Sequence, residues 1–175
     1  MKNEKIIDTF VENGILFEVI NKPEMIFAGK IGYALNLNEE PNIGSLLDGY
    51  RGIMEKIIKA VEPEWWLGIS IDYGKPNALS GYMFATEVRT DKQPVGVDVY
   101  KIPSTNYIRL RKDNKSSLKL LGKESCQTYE LFFPMFDIMK KHGYMHADNG
   151  AQEMECDYSK DMSISFAYVA VEGRK

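Results

Sequence analysis

The side chains best placed to do chemistry in this sequence are carboxylates set among aromatic residues. Between Gln152 and Tyr158 the acids Glu153, Glu155 and Asp157 recur every second residue, the period that puts them on one face of a β-strand. Trp65, Trp66, Tyr82 and Phe84 in the first half, and Phe136 and Tyr168 in the second, supply aromatic surface. Two readings stand. An edge strand with one wet face accounts for the acids, and core packing accounts for the rings, which bury a large area whatever their role. Alternatively one of the carboxylates faces a cleft, where desolvation and neighbouring rings let it attract an organic cation or act as a proton donor.

Other familiar sites lack support. Gly29 and Gly32 in GKIGY are too few for a phosphate-cradling loop, and the segment continues as strand. His142 and His146 stand four apart with Asp148 close behind, a spacing that suits a helical metal site. Gly143 between them ends such a helix, which leaves two solvent-exposed histidines. With only those histidines and no strained serine elbow, a Ser-His-Asp triad has no basis. Cys126 and Cys156 form neither a disulfide framework nor a paired metal spacing, and they suit a reducing compartment. No motif calls for a metal or a cofactor. The basic residues Arg109, Arg111, Lys112, Lys115, Lys119 and Lys123 fall in or beside a Lys- and Ser-rich stretch, 111–123, read as a solvated loop.

The elements that must position these residues follow from composition and period. At 175 residues, 44% of them hydrophobic, one domain is the expectation, and a chain of this length buries roughly 70% of its unfolded surface without a metal or disulfide staple. Lys and Arg number 22 against 25 Asp and Glu, a net charge of -3, so the electrostatic footprint of a nucleic-acid binder is missing and no sequence-specific DNA binding is expected. The start MKNEKIIDTF has no apolar leader and no stretch is long enough to cross a bilayer; the protein reads as cytoplasmic. Residues 15–35 predict two strands broken near Asn21 to Pro23. Leu46, Leu47, Tyr50, Ile53, Met54, Ile57, Ile58 and Val61 recur at helical steps and predict one helix ended by Pro63. Trp65 to Gly74 and Gly81 to Val88 predict a hairpin.

The same order recurs in the second half. An offset of 82 carries Leu47, Tyr50, Ile53, Met54 and Ile57 onto Tyr129, Phe132, Met135, Phe136 and Met139, and Phe84-Ala85 onto Phe166-Ala167. An offset of 80 pairs Pro23 with Pro103 and Phe27 with Tyr107. Two βαββ halves are predicted, about 15–90 and 98–172. Pro134 requires a kink, or a helix that starts near Phe133. The expected fold is α+β, with duplicated halves related by a pseudo-twofold axis, antiparallel-rich sheets enclosing a central ligand cleft, and the two main helices outside. Residues 1–14 read as an N-terminal extension and 15–175 as a single domain.

This order, with IPSTNYIRL opening the second half, the helix YELFFPMFDIMKKHGY, the acidic strand MECDY and the last strand FAYVAVE, resembles the GyrI-like small-molecule-binding family, which includes the effector-binding domains of AraC- and MerR-type transcription activators. The resemblance covers about residues 15–172. It implies a cleft for amphipathic, often cationic or aromatic ligands, with an acidic residue on the penultimate strand. That role maps to Glu155, with Glu153 next because MECDY departs from the usual Glu-x-Tyr register. Tyr168 matches the last-strand aromatic; Trp65, Trp66, Phe136, Phe84 and Tyr82 fall where cleft aromatics are expected. A regulator of this kind also needs a helix-turn-helix unit, which the 14 residues before Ile15 cannot hold, so a stand-alone module is expected. It would sense or sequester a small molecule, in transcription regulation or in drug or toxin resistance. The resemblance also leaves room for a hydrolase of strained electrophiles using a cleft Glu, here Glu155, and for a protein inhibitor whose partner is a topoisomerase such as gyrase or a regulator. Monomer and dimer stay open.

Overall fold

Strands dominate because β-branched and aromatic residues alternate with polar ones through most of the chain. The computed structural model describes residues 4–63, 65–72, 77–147, 151–158 and 165–173, the strand at 151–158 by its backbone alone. The strands are β1 (Lys5–Glu12), β2 (Ile15–Lys22), β3 (Met25–Tyr33), β4 (Trp65–Ile71), β5 (Gly81–Val88), β6 (Asp98–Ile102), β7 (Thr105–Lys112), β8 (Met145–His146), β9 (Ala151–Tyr158) and β10 (Ser165–Glu172). The α-helices among the described residues are α1 (Ile43–Arg51), α2 (Asn114–Leu121) and α3 (Phe132–Lys141), with short 3-10 turns at Met54–Lys56 and Thr128–Leu131. The strands join in the order β1-β2-β7-β10-β9-β4-β5-β3-β6, with β8 beside β10.

Two prolines shape this sheet. Pro23 separates β2 from β3, and Pro103 separates β6 from β7, each where a missing N–H interrupts the ladder. On either side of the break the register is the same: Glu18 lies opposite Arg109, Lys22 opposite Thr105, Met25 opposite Ile102 and Gly29 opposite Asp98. The segments 15–33 and 98–112 are thus one long antiparallel ribbon bent at its prolines. Within the sheet, six strand spacings part β2 from β3, roughly 29 Å if the sheet were flat. Along the chain only Pro23 and Glu24 part them, at most about 11 Å between the flanking Cα atoms. The sheet therefore rolls up. Its inner face carries one apolar cluster drawn from nearly every strand, including Ile20, Phe27, Ile69, Met83, Ile102, Tyr107 and Tyr168, and no helical residue belongs to it.

Both main helices lie outside the roll, as expected. Leu46 and Tyr50 of α1 cover Phe84 on the first half, and Phe132, Met135, Ile138 and Met139 of α3 cover Phe17, Ile108, Leu110 and Val169 on the second. Each half also has the same strand order, first-third-second reading inward: β3-β5-β4 meets β9-β10-β7 at the antiparallel β4–β9 junction. The duplication is present, but the offset of 82 is one residue out of phase in the last strand. Phe84 packs outside with α1, whereas Phe166 packs on the inner cluster.

Four local expectations change. Residues 5–12 form β1, turned back onto β2 through Asn13-Gly14, both at positive φ (52° and 73°), the dipeptide that favours a two-residue hairpin. Helix α1 stops at Arg51 with Gly52 as cap; its predicted continuation joins the sheet instead, where Val61 N–H donates to the Glu87 carbonyl at 2.8 Å. The stretch read as a solvated loop contains α2, opened by a capping box between Asp113 and Ser116 and closed by Gly122 in the left-handed region. Pro134 falls in the first turn of α3, where it costs little.

Gly29 marks a place where two strands' backbones leave no room for a side chain. A Cβ there would lie 2.0 Å from the Phe84 carbonyl oxygen and 2.7 Å from the Ala85 Cα. Gly29→Ala is expected to lower stability by about 1–3 kcal/mol or more, since backbone must move to admit it. Gly44→Ala, on the exposed first turn of α1, is expected instead to raise stability by about 0.5–1 kcal/mol. Chemical denaturation of both variants checks the contrast.

Candidate functional site

At one end of the roll, where β4 starts and β5 finishes, the inner face opens into a cavity of about 710 Å³. Alternation along the strands decides what it contains. On β5, Met83 and Ala85 belong to the inner cluster, so Glu87, two residues on, continues that face as the apolar run ends. On β4, Leu67 is inner and Trp65 packs against the same cluster. Glu87, Trp65, Leu67, Phe27 and Lys22 line the cavity together. Thr86, beside Glu87, donates its hydroxyl to the Trp65 carbonyl at 2.9 Å and ties the two strands at this point.

The electrostatics are uneven. Glu4, Glu24, Glu62 and Glu87 line the cavity with Lys22 and Arg89, and Lys22 already pairs with Glu4 at 2.6 Å. Burial pushes the Glu87 carboxyl above the usual carboxylate range. The Lys22 charge works against that shift, while Glu62 and Glu4 reinforce it. A half-buried carboxylate on the same cavity wall as an indole is a ready partner for an organic cation. Deeper in, Lys22 lies over the Tyr168 ring at 4.8 Å and the Arg109 guanidinium over Phe166 at 4.8 Å. Arg109 grips Glu18 through Nε at 3.0 Å and Nη2 at 2.6 Å, and donates through Nη1 to Glu4. Burial in the same interior pushes the Tyr107 hydroxyl well above its usual range.

Of the residues singled out from sequence, Trp65 lines the cavity and Tyr168 lies behind it, fully buried beneath Lys22. Trp66, Tyr82 and Phe84 lie on the opposite face in the cluster under α1, with ring centroids 5.5 Å (Trp66–Phe84) and 5.2 Å (Tyr82–Phe84) apart. Phe136 packs on the outer cluster of the second half, edge-on to His146 at 5.2 Å. Glu155 and Glu153 are placed by backbone register only: position 155 pairs with Gly68 and Ala167, and position 153 with Val169. Their side chains lie outside the described residues, as does Asp148. His142 is not solvent-exposed: its ring stacks on Phe10 at 3.9 Å, and its Nε2 lies 3.2 Å from Glu12. Nor is Arg109 part of a solvated run, because period two puts Tyr107 and Arg109 on the inner face while Ile108 and Leu110 face out. Glu87 and Lys22 were passed over in the sequence. A lone acid closing the alternation Met83, Ala85, Glu87 was the available signal for the first.

Among the described residues no group of three or more His, Cys, Asp or Glu is placed to hold a metal ion, and no helix is long and apolar enough to cross a membrane.

No protein-family model matches the chain and no curated protein matches it. Solved structures do. The EcmrR C-terminal domain superposes with a TM-score of 0.59 at 12% identity, over 89% of this chain and 96% of that one. EcmrR in its complex with DNA matches with a TM-score of 0.57 at 13% identity, over 89% of this chain and 57% of that one. SAV2435 bound to tetraphenylphosphonium matches with a TM-score of 0.62 at 12% identity, over 90% of this chain and 94% of that one. The chain shares the α+β, GyrI-like fold of these structures.

Because folding raises the Glu87 pKa, the folded chain holds that proton more tightly than the unfolded chain does, so ionising Glu87 costs stability. The cost is absent below the ordinary carboxylate range and grows as pH rises through the raised pKa. Glu87→Gln keeps the shape without the charge. It is expected to raise the thermal midpoint near neutral pH, with the gain disappearing toward about pH 3, below both pKa values. Thermal melts across that range check this, and a variant less stable than the parent at neutral pH would contradict it.

Proposed function

We propose that this chain is a small-molecule-binding domain of the effector-binding type, and that its ligand is an amphipathic organic cation seated in the cavity at the mouth of the roll. The observation that carries the reading is the half-buried Glu87 carboxylate sharing a cavity of about 710 Å³ with Trp65 and Phe27. That volume falls within the ~300–1,000 Å³ of typical ligand sites, mostly apolar with a few polar groups that fix orientation. A cation against Glu87 restores the charge interaction that burial removed, and a flat apolar body gains contact with the indole and phenyl rings. SAV2435, of the same fold, is bound to tetraphenylphosphonium, a lipophilic cation of this chemistry. EcmrR, of the same fold, is solved in a complex with DNA, which favours a sensing role within a regulator, and sequestration rests on the same binding step. Glu155, on the penultimate strand, is the second carboxylate to test.

Tetraphenylphosphonium titrated into the protein is expected to quench Trp65 fluorescence, and Trp65→Phe to remove most of the quench. Binding should tighten as pH rises through the Glu87 titration, because the cation favours the ionised acid. Glu87→Gln is expected to weaken binding by about 1–3 kcal/mol and flatten the pH dependence, as for loss of a charged partner in a buried site. If Glu155→Gln weakens binding and Glu87→Gln does not, the cation sits against β9 instead. If neither changes it, the cavity does not hold the cation.

A further inference from the structure

Lys22 and Arg109 form the other pole of the roll's interior. Lys22 is 3% exposed, an unusual place for an ammonium, which is costly to desolvate without a partner. Each cation is set over an aromatic ring of β10, Lys22 over Tyr168 and Arg109 over Phe166. Both donate to one carboxylate. Glu4 Oε1 accepts from Lys22 at 2.6 Å, and Glu4 Oε2 accepts from Arg109. One acid with an oxygen on each of the two cations is how a free carboxylate would bind there. Glu18 satisfies the remaining fork of Arg109, so Arg109 keeps a partner when Glu4 leaves.

Glu4 also lies outside the sheet's hydrogen-bond ladder. It precedes the first residue of β1, an edge strand, and the β1–β2 register breaks between Ile6 and Asp8. A residue outside the ladder, beside an edge strand whose register is broken, opens at low cost. Glu4 and Lys22 line the same cavity as Trp65 and Phe27, so moving Glu4 aside joins the cation pair to an aromatic space.

We propose that Lys22 and Arg109 form an anion subsite for the carboxylate of an aromatic ligand, and that Glu4 is the chain's own occupant of it, a tethered competitor that a ligand carboxylate must displace. The subsite stands on the geometry of Lys22, Arg109 and Glu4 and does not depend on Glu87 accepting a cation. A ligand bearing both charges would engage both poles.

The probe is naphthalene-2-carboxylate, with the neutral 2-naphthamide as control, titrated by calorimetry into the full chain. Glu4→Ala removes the competitor and is expected to bind the carboxylate about tenfold tighter than the parent, the scale of a charged hydrogen bond gained. The amide should bind both alike. Adding Lys22→Met to Glu4→Ala, which keeps an apolar stem over Tyr168, should abolish the gain. Equal carboxylate affinity for parent and Glu4→Ala overturns the proposal, as does a gain that survives Lys22→Met. Should Glu4→Ala fail to fold, the parent decides the matter by NMR. Saturation with the carboxylate is expected to shift the Arg109 Nε–H and Glu4 carboxyl resonances together, and unmoved resonances overturn the proposal. Tetraphenylphosphonium binding reads the Glu87 pole separately, so failure of one reading does not mimic failure of the other.

Discussion

The bent ribbon formed by residues 15–33 and 98–112 is the constraint on which the rest of the structure depends. Its register runs unbroken past Pro23 and Pro103, so each half of the chain lends its leading strand to the other half. Once that exchange is made, β2 cannot lie six strands from β3 in a flat sheet, and rolling up is the only closure two linking residues permit. Rolling gives the sheet an inside without helices and an outside with them. It also explains why apolar residues alternate so incompletely: both faces of most strands are covered, and Ala28, Phe84, Ala85, Ala167, Tyr168, Val169 and Ala170 are all buried.

The inside is where charge has been admitted, and the charges are not scattered. A carboxylate at the mouth, raised by desolvation, faces a pair of cations further in that share Glu4 and rest on rings of β10. Buried ion pairs of this kind contribute little net stability, because the loss of water offsets most of the attraction. Their value lies in orientation. They give the interior two fixed poles against which a ligand's charges can be sorted.

Apart from β1 and α2, element types and their duplicated order were legible in the sequence because both rest on period: two for the strands, 3.6 for α1 and α3. The bend at Pro23, the twin at Pro103 and the placement of Pro134 could be read from single residues with fixed backbone demands. The lengths of the helices could not. Ile57, Ile58 and Val61 continue a helical stripe in sequence, yet the edge of β5 offered that segment a better partner. The candidate site was legible only in part. Composition pointed to acids among aromatic residues, and Trp65 was found that way. Which face each ring occupies depends on register, and a one-residue phase error separates Phe84 from Phe166. Lys22, Glu87 and Arg109 look like ordinary surface charges until the rolled sheet turns them inward. Glu4 meets Lys22 and Arg109 only through the Asn13-Gly14 hairpin, and its role lies in contacts that no local pattern encodes.

The central claim is that a cation seats against Glu87 inside the roll. Carbon-detected NMR of the Glu87 carboxyl, followed through a pH titration with and without saturating tetraphenylphosphonium, tests it at the atom concerned. The account predicts a midpoint above that of an ordinary glutamate in the free protein and a clear downward shift when the cation is bound. An unchanged Glu87 titration in protein that demonstrably binds tetraphenylphosphonium would contradict it.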